Sequence, residues 1–158
     1  MTSPDLAERT LDIIVDEIFP HRRETIWKTL TSGDLISRWL MPVTGFEASI
    51  GKDFTYKTRP AGEWDGTILC RVLEVVQNER LSYSWTGGHE ANTDYGAPLD
   101  TIVTWTLMPV DQGTRVQLIH AGFVLPRNQN AYTVMGEGWK KVIHSLDEMT
   151  EEQFGLKN

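Results

Sequence analysis

His120 is the residue best placed for proton chemistry in this 158-residue sequence. Strand alternation puts it on the same side as Val116 and Leu118, so its imidazole is expected to point inward. An inward histidine can orient a ligand or serve as a general base. The commoner outcome is a neutral ring whose nitrogens are satisfied by protein partners. Tyr56 and Tyr83 pose the same choice, because a buried hydroxyl needs a partner and a ligand can supply one. Glu74, within Leu73-Glu74-Val75, could be an inward carboxylate, although a solvated strand face is the commoner reading. His21 and His89 fall in a helix start and a loop, and His144 on a polar helix face. No two histidines have metal-ligand spacing, and a single cysteine, Cys70, builds neither a disulfide nor a thiolate zinc site. No metal or other cofactor is expected. The sequence has no Gly-x-Ser-x-Gly element, phosphate loop or dinucleotide fingerprint.

The second chemical resource is aromatic. Six tryptophans, Trp27, Trp39, Trp64, Trp85, Trp105 and Trp139, are enough to dominate a core of this size. Flat rings with one polar N–H also make good walls for an aromatic ligand. Gly136 and Gly138 each cost a helix about 1 kcal/mol relative to alanine. Either close packing or volume kept open for a ligand could explain them. Met135 and Met149 would give an adaptable wall or fill gaps in the core. The glycine-rich stretch from Gly87 to Gly96 reads as a lid or as a plain connection.

These residues need elements to hold them. Leu11, Ile13 and Val15 alternate with Asp12, Ile14 and Asp16 as a first strand. Pro20 ends it and can open a helix carrying Ile26, Trp27 and Leu30, which Gly33 can close. A second short helix is expected from Asp34 to Trp39, ending at Pro42. Strands follow at Asp53–Thr58, Gly66–Val76 and Leu81–Trp85, then an exposed loop over Thr86–Pro98. Thr101–Met108 and Thr114–Phe123 form another hairpin around Asp111-Gln112-Gly113. The last element is a helix from about Asn128 to Phe154, roughly 40 Å long. Tyr132, Met135, Gly136, Trp139, Val142, Ile143, Leu146 and Met149 share its apolar face. Strands grouped between helices imply an α+β domain with an antiparallel sheet.

Composition excludes several classes. A net charge of −7 opposes a phosphate-neutralising surface, so no nucleic-acid partner is expected. No run of apolar residues is long enough for a membrane span, and the N-terminus lacks the pattern of a signal peptide. A cytoplasmic protein is expected.

Six motifs, in order, resemble the START-like superfamily, in the branch named for the activator of the heat-shock-chaperone ATPase. They are the segment Ile18–Thr31, Ser37-Arg38-Trp39-Leu40-Met41-Pro42, the hairpin Arg71–Val76 with Arg80–Trp85, Thr101–Leu107, the strand end His120-Ala121-Gly122-Phe123, and Gly138-Trp139. The resemblance spans about Leu11 to Met149. It implies a helix-grip fold, with a curved antiparallel sheet of about six or seven strands around the long C-terminal helix. One domain over 1–158 is expected, with its core at about 10–154. The family includes lipid and polyketide binders, cyclase-like enzymes, drug-sequestering proteins and chaperone activators. The last of these carry an additional N-terminal domain for which this chain has no room, which argues against chaperone stimulation.

By this resemblance Trp39, Trp85 and Trp139 approach the space between sheet and helix. Phe54, Tyr56, Tyr83, Trp105 and His120 are expected to line the same space from the sheet. Met135, Gly136 and Ile143 are expected to line it from the helix. The leading expectation is a non-catalytic module holding a small apolar or aromatic molecule, as a monomer or homodimer. Two alternatives stand beside it: a polyketide-cyclase-like enzyme using His120 with a tyrosine or Glu74, and a protein-interaction role resembling the chaperone activators.

Overall fold

A computed structural model describes residues 9–93 and 95–155. Strand β1 (Arg9–Phe19) is followed by helices α1 (Arg23–Leu30) and α2 (Gly33–Trp39). Strands β2 (Val43–Thr44), β3 (Asp53–Lys57), β4 (Thr67–Val76), β5 (Arg80–Gly87), β6 (Leu99–Val110) and β7 (Gly113–Leu125) precede helix α3 (Gln129–Phe154). All seven strands form one antiparallel sheet in the order β1-β7-β6-β5-β4-β3-β2, the helix-grip architecture. Irregularities at Leu11/Asp12 and Val72/Glu74 add local twist, which helps the sheet bend around α3. No helix among the described residues is long and apolar enough to cross a membrane.

Period-two alternation decides what faces α3. On β6, Thr101, Val103, Trp105 and Leu107 are buried, and on β7, Val116, Leu118 and His120. Helix α3 answers with Trp139, Ile143, Leu146, Met149 and Thr150. None of its first ten residues is buried, although Tyr132, Met135 and Gly136 share the same stripe. The C-terminal half is fastened to α1 and the loop before it. Thr150 Oγ1, which donates to the Leu146 carbonyl, lies 3.1 Å from Thr29 Oγ1 and accepts its hydrogen bond, and His21 Nε2 lies 2.8 Å from an Asp147 carboxylate oxygen.

Two local expectations are corrected. Gly33 does not close α1, which ends at Leu30 with Thr31 as its cap; it opens α2 behind Ser32, whose hydroxyl accepts the Leu35 N–H. This side-chain cap satisfies a free N–H that a closing glycine could not. Helix α1 begins at Arg23, three residues beyond Pro20. Strand β1 runs to Phe19, directly before the Pro20 expected to end it, and β7 supplies ladder partners as far as Thr114.

A candidate ligand cavity under the last helix

Where the first half of α3 leaves the sheet uncovered, there is a cavity of about 280 Å³. Ile68 and Trp85 form its sheet wall because they are inward positions of β4 and β5. Ala131, Val134, Met135 and Gly138 face it from α3, and Met41 from the turn after α2. Trp64, Gly88, Tyr95, Ala97 and Leu99 contribute the rim. A smaller recess of about 100 Å³ adjoins it, sharing Met41, Trp85, Met135 and Gly138 and adding Leu40, Trp139 and Val142. No acidic or basic side chain is among the described residues lining either space.

Asn92 ties the rim together. Its Oδ1 accepts the Glu63 N–H at 3.3 Å, and its Nδ2 donates to the carbonyls of Ala61 at 2.7 Å and Tyr95 at 3.2 Å. The loops before β4 and after β5 are thus clasped by one amide. Gly62 and Gly96 have positive φ, and a Cβ on either would collide with that amide. Tyr95 adds a second tie by donating its hydroxyl to the Arg59 carbonyl at 3.0 Å.

Behind the cavity wall, a chain of hydrogen bonds seals His120. Trp139 Nε1 donates to His120 Nδ1 at 3.0 Å. An indole nitrogen only donates, so Nδ1 is the acceptor and Nε2 carries the proton of the neutral ring. Nε2–H then donates to Thr101 Oγ1 at 2.7 Å, and the Thr101 hydroxyl donates to the Trp85 carbonyl at 2.8 Å. Burial without a counter-charge pushes the His120 pKa down to about 3. The ring is neutral at physiological pH and has no lone pair left for a substrate.

A second network involves the tyrosines. Trp105 Nε1 donates to Tyr83 Oη at 3.2 Å, and Tyr56 Oη lies 3.4 Å from the same oxygen. Desolvation raises both phenol pKa values, so both hydroxyls stay protonated. Cys70 lies buried on β4, and burial likewise pushes its thiol up, leaving it unreactive. Glu74 is half-exposed and faces Arg80 at 3.3 Å.

The expected site residues therefore divide. Trp85 and Met135 line the cavity, and Trp139 lines the adjoining recess. Trp39, Phe54, Tyr56, Tyr83, Trp105, His120 and Ile143 are buried in the packed core. Trp39 donates its N–H to the Thr29 carbonyl at 3.1 Å and stands edge-on to Trp105. Gly136 faces a separate groove along Asp12–Val15 of β1, whereas Gly138 faces the cavity. Met41 and Trp64 were not among the expected lining residues. Asn92 and Tyr95 lie in the glycine-rich Gly87–Gly96 stretch, whose sequence reads as a lid or a plain connection.

Residues 20–151 match the family described as Activator of Hsp90 ATPase homolog 1-like protein. The chain belongs to that family. The similarity extends to solved structures of relatives. A Mesorhizobium loti protein, MLL2253, is 31% identical, with 92% of this chain and 98% of that one aligned at a TM-score of 0.77. The Aha1 dimer of Colwellia psychrerythraea is 17% identical over 93% of this chain and 99% of that one, at a TM-score of 0.68. DynU16, from the dynemicin biosynthetic locus, is 17% identical over 91% of this chain and 48% of that one, also at 0.68. At such identities the last two show a shared fold alone. No curated protein matches this chain.

Proposed function

We propose that this protein binds a small apolar or aromatic molecule in the cavity between its sheet and the first half of α3. The observation that carries this reading is Gly138. It stands inside a helix at a cost of about 1 kcal/mol relative to alanine. A Cβ there would meet nothing within 4 Å, so packing does not demand a glycine. The open position faces the cavity.

Ordinary ligand pockets occupy roughly 300–1,000 Å³, and 280 Å³ lies just below that range. The volume favours a molecule of one or two rings over an enclosed polycycle. A charged ligand would be desolvated against walls offering no counter-charge. A cyclase role is disfavoured because both His120 nitrogens are engaged within the protein.

The test is a fluorescence titration with N-phenyl-1-naphthylamine, a neutral apolar probe, against the wild type and Gly138→Leu. Saturable one-to-one binding that Gly138→Leu abolishes supports the reading. No binding, or binding indifferent to the substitution, overturns it.

A second reading is a protein contact on the convex face. Ile14, 62% exposed, pairs across strands with Ile119, and Ile102, 44% exposed, lies on the next strand. Clustered exposed isoleucines on a sheet are a common contact surface. Light scattering of the wild type and Ile14→Lys tests it. A dimer lost in the variant supports a contact between two copies of this chain, and a monomeric wild type at all concentrations removes that self-contact.

A further inference from the structure

Trp85 is 1% exposed, and it lies against both the cavity and its adjoining recess. Its ring is held firmly in place. It stands edge-on to Trp139 with centroids 5.7 Å apart, and it tilts against Tyr56 at 5.2 Å. Its own carbonyl receives the end of the His120 hydrogen-bond chain.

The indole N–H is less committed. Trp39, Trp64, Trp105 and Trp139 each donate theirs to an oxygen or nitrogen of the protein. The N–H groups of Trp27 and Trp85 make no hydrogen bond with the described residues, and of these two rings only Trp85 lines the cavity. Yet every fully enclosed side-chain nitrogen and oxygen among them has a partner. The Trp85 nitrogen therefore touches accessible space, and the space beside this ring is the cavity and its recess. The other polar side-chain groups of the cavity are committed or peripheral. Trp64 Nε1 donates to the Thr67 carbonyl at 3.0 Å, and Tyr95 Oη donates to the Arg59 carbonyl. Thr58 lies at the mouth, shared with an outer surface groove.

We infer that the ligand is an uncharged aromatic molecule bearing a hydrogen-bond acceptor, such as an aryl ketone, which takes the Trp85 N–H. This deepens the binding function proposed above and rests on it. Once a ligand displaces water from the cavity, a donor left without an acceptor is costly, so the wall discriminates for a molecule that supplies one. An acceptor that stays neutral also avoids bringing an unpaired charge into apolar surroundings.

The experiment is a cycle of two ligands and two proteins, read by calorimetry. The ligands are 2-acetylnaphthalene and its hydrocarbon counterpart 2-isopropenylnaphthalene, in which a CH₂ replaces the ketone oxygen. The proteins are wild type and Trp85→Phe, which keeps a flat ring and removes the N–H. The ketone is expected to lose about fivefold to tenfold in affinity, the scale of one neutral hydrogen bond, and the hydrocarbon less than about twofold. Equal changes for both ligands, or no change for either, overturn the acceptor. If neither ligand binds the wild type, the binding function itself fails. An independent readout needs no variant: the carbonyl stretch of the bound ketone should move to lower frequency in the wild type. An unmoved stretch contradicts the inference.

Discussion

The indole N–H of Trp139 donates to Nδ1 of His120, and that single bond sets the state of the ring. It makes Nδ1 an acceptor and Nε2 a donor, and it joins α3 to β7 at the point where the helix first meets the sheet. The histidine that looked most like a catalytic base is instead the middle of a relay from Trp139 through Thr101 to the Trp85 carbonyl.

That relay predicts a pH signature. The folded pKa of His120 is depressed to about 3 from 6.5, so between those values the unfolded chain binds the extra proton. Its contribution to stability is complete above pH 6.5 and falls as pH drops toward 3, with a limiting slope of about 1.4 kcal/mol per pH unit. Urea unfolding across this window should show a shallower slope for His120→Gln than for wild type. Parallel slopes would mean that His120 is not buried in its neutral form.

The tyrosine pair predicts unequal costs. Tyr83→Phe strips the acceptor from Trp105 and a partner from Tyr56, and should cost about 2–3 kcal/mol. Tyr56→Phe leaves the Trp105 bond intact and should cost about 1 kcal/mol or less. Denaturation midpoints compare the two, and the reverse order would contradict the assigned network.

Asn92→Ala removes all three rim bonds. Global stability should fall by only about 1 kcal/mol, because the loops lie outside the core. Limited proteolysis should nevertheless cut the segment between β5 and β6 much faster, and a bound probe should dissociate faster. Cleavage at the wild-type rate would show that the clasp does not hold the rim.

Gly138→Ala and Gly136→Ala should each stabilise α3 by about 1 kcal/mol, since neither new methyl meets an obstacle. The melting temperature should rise by roughly 2–4 °C in each case. Only Gly138→Ala should weaken probe binding, because Gly136 faces the groove along β1. Equal effects on binding would dissociate the glycine from the cavity.

Much of this architecture was legible in the sequence because alternation and helical period report which face of an element is apolar. Leu81, Tyr83 and Trp85 declared an inward face, and the stripe through Trp139, Ile143 and Leu146 declared the closing helix. The same signals could not separate a wall from a core. Tyr83 and Trp85 are both inward on β5, but Tyr83 is packed among Phe54, Tyr56 and Trp105 whereas Trp85 borders open space. The difference depends on how closely α3 covers each strand, which is a tertiary quantity. Likewise Gly136 and Gly138 share a helix but face different spaces. The rim residues Trp64, Asn92 and Tyr95 lie in segments without periodicity, where only the fold brings them together.

The central claim is that an apolar ligand sits between Trp85 and the first half of α3. Its most direct test uses the six tryptophans as reporters, through nitrogen-edited NMR of their indole N–H groups. On titration with N-phenyl-1-naphthylamine, the signals of Trp64, Trp85 and Trp139 should shift and saturate together. Those of Trp27, Trp39 and Trp105 should stay nearly fixed. Saturating binding that moves only the second group, or that moves no indole at all, would contradict it.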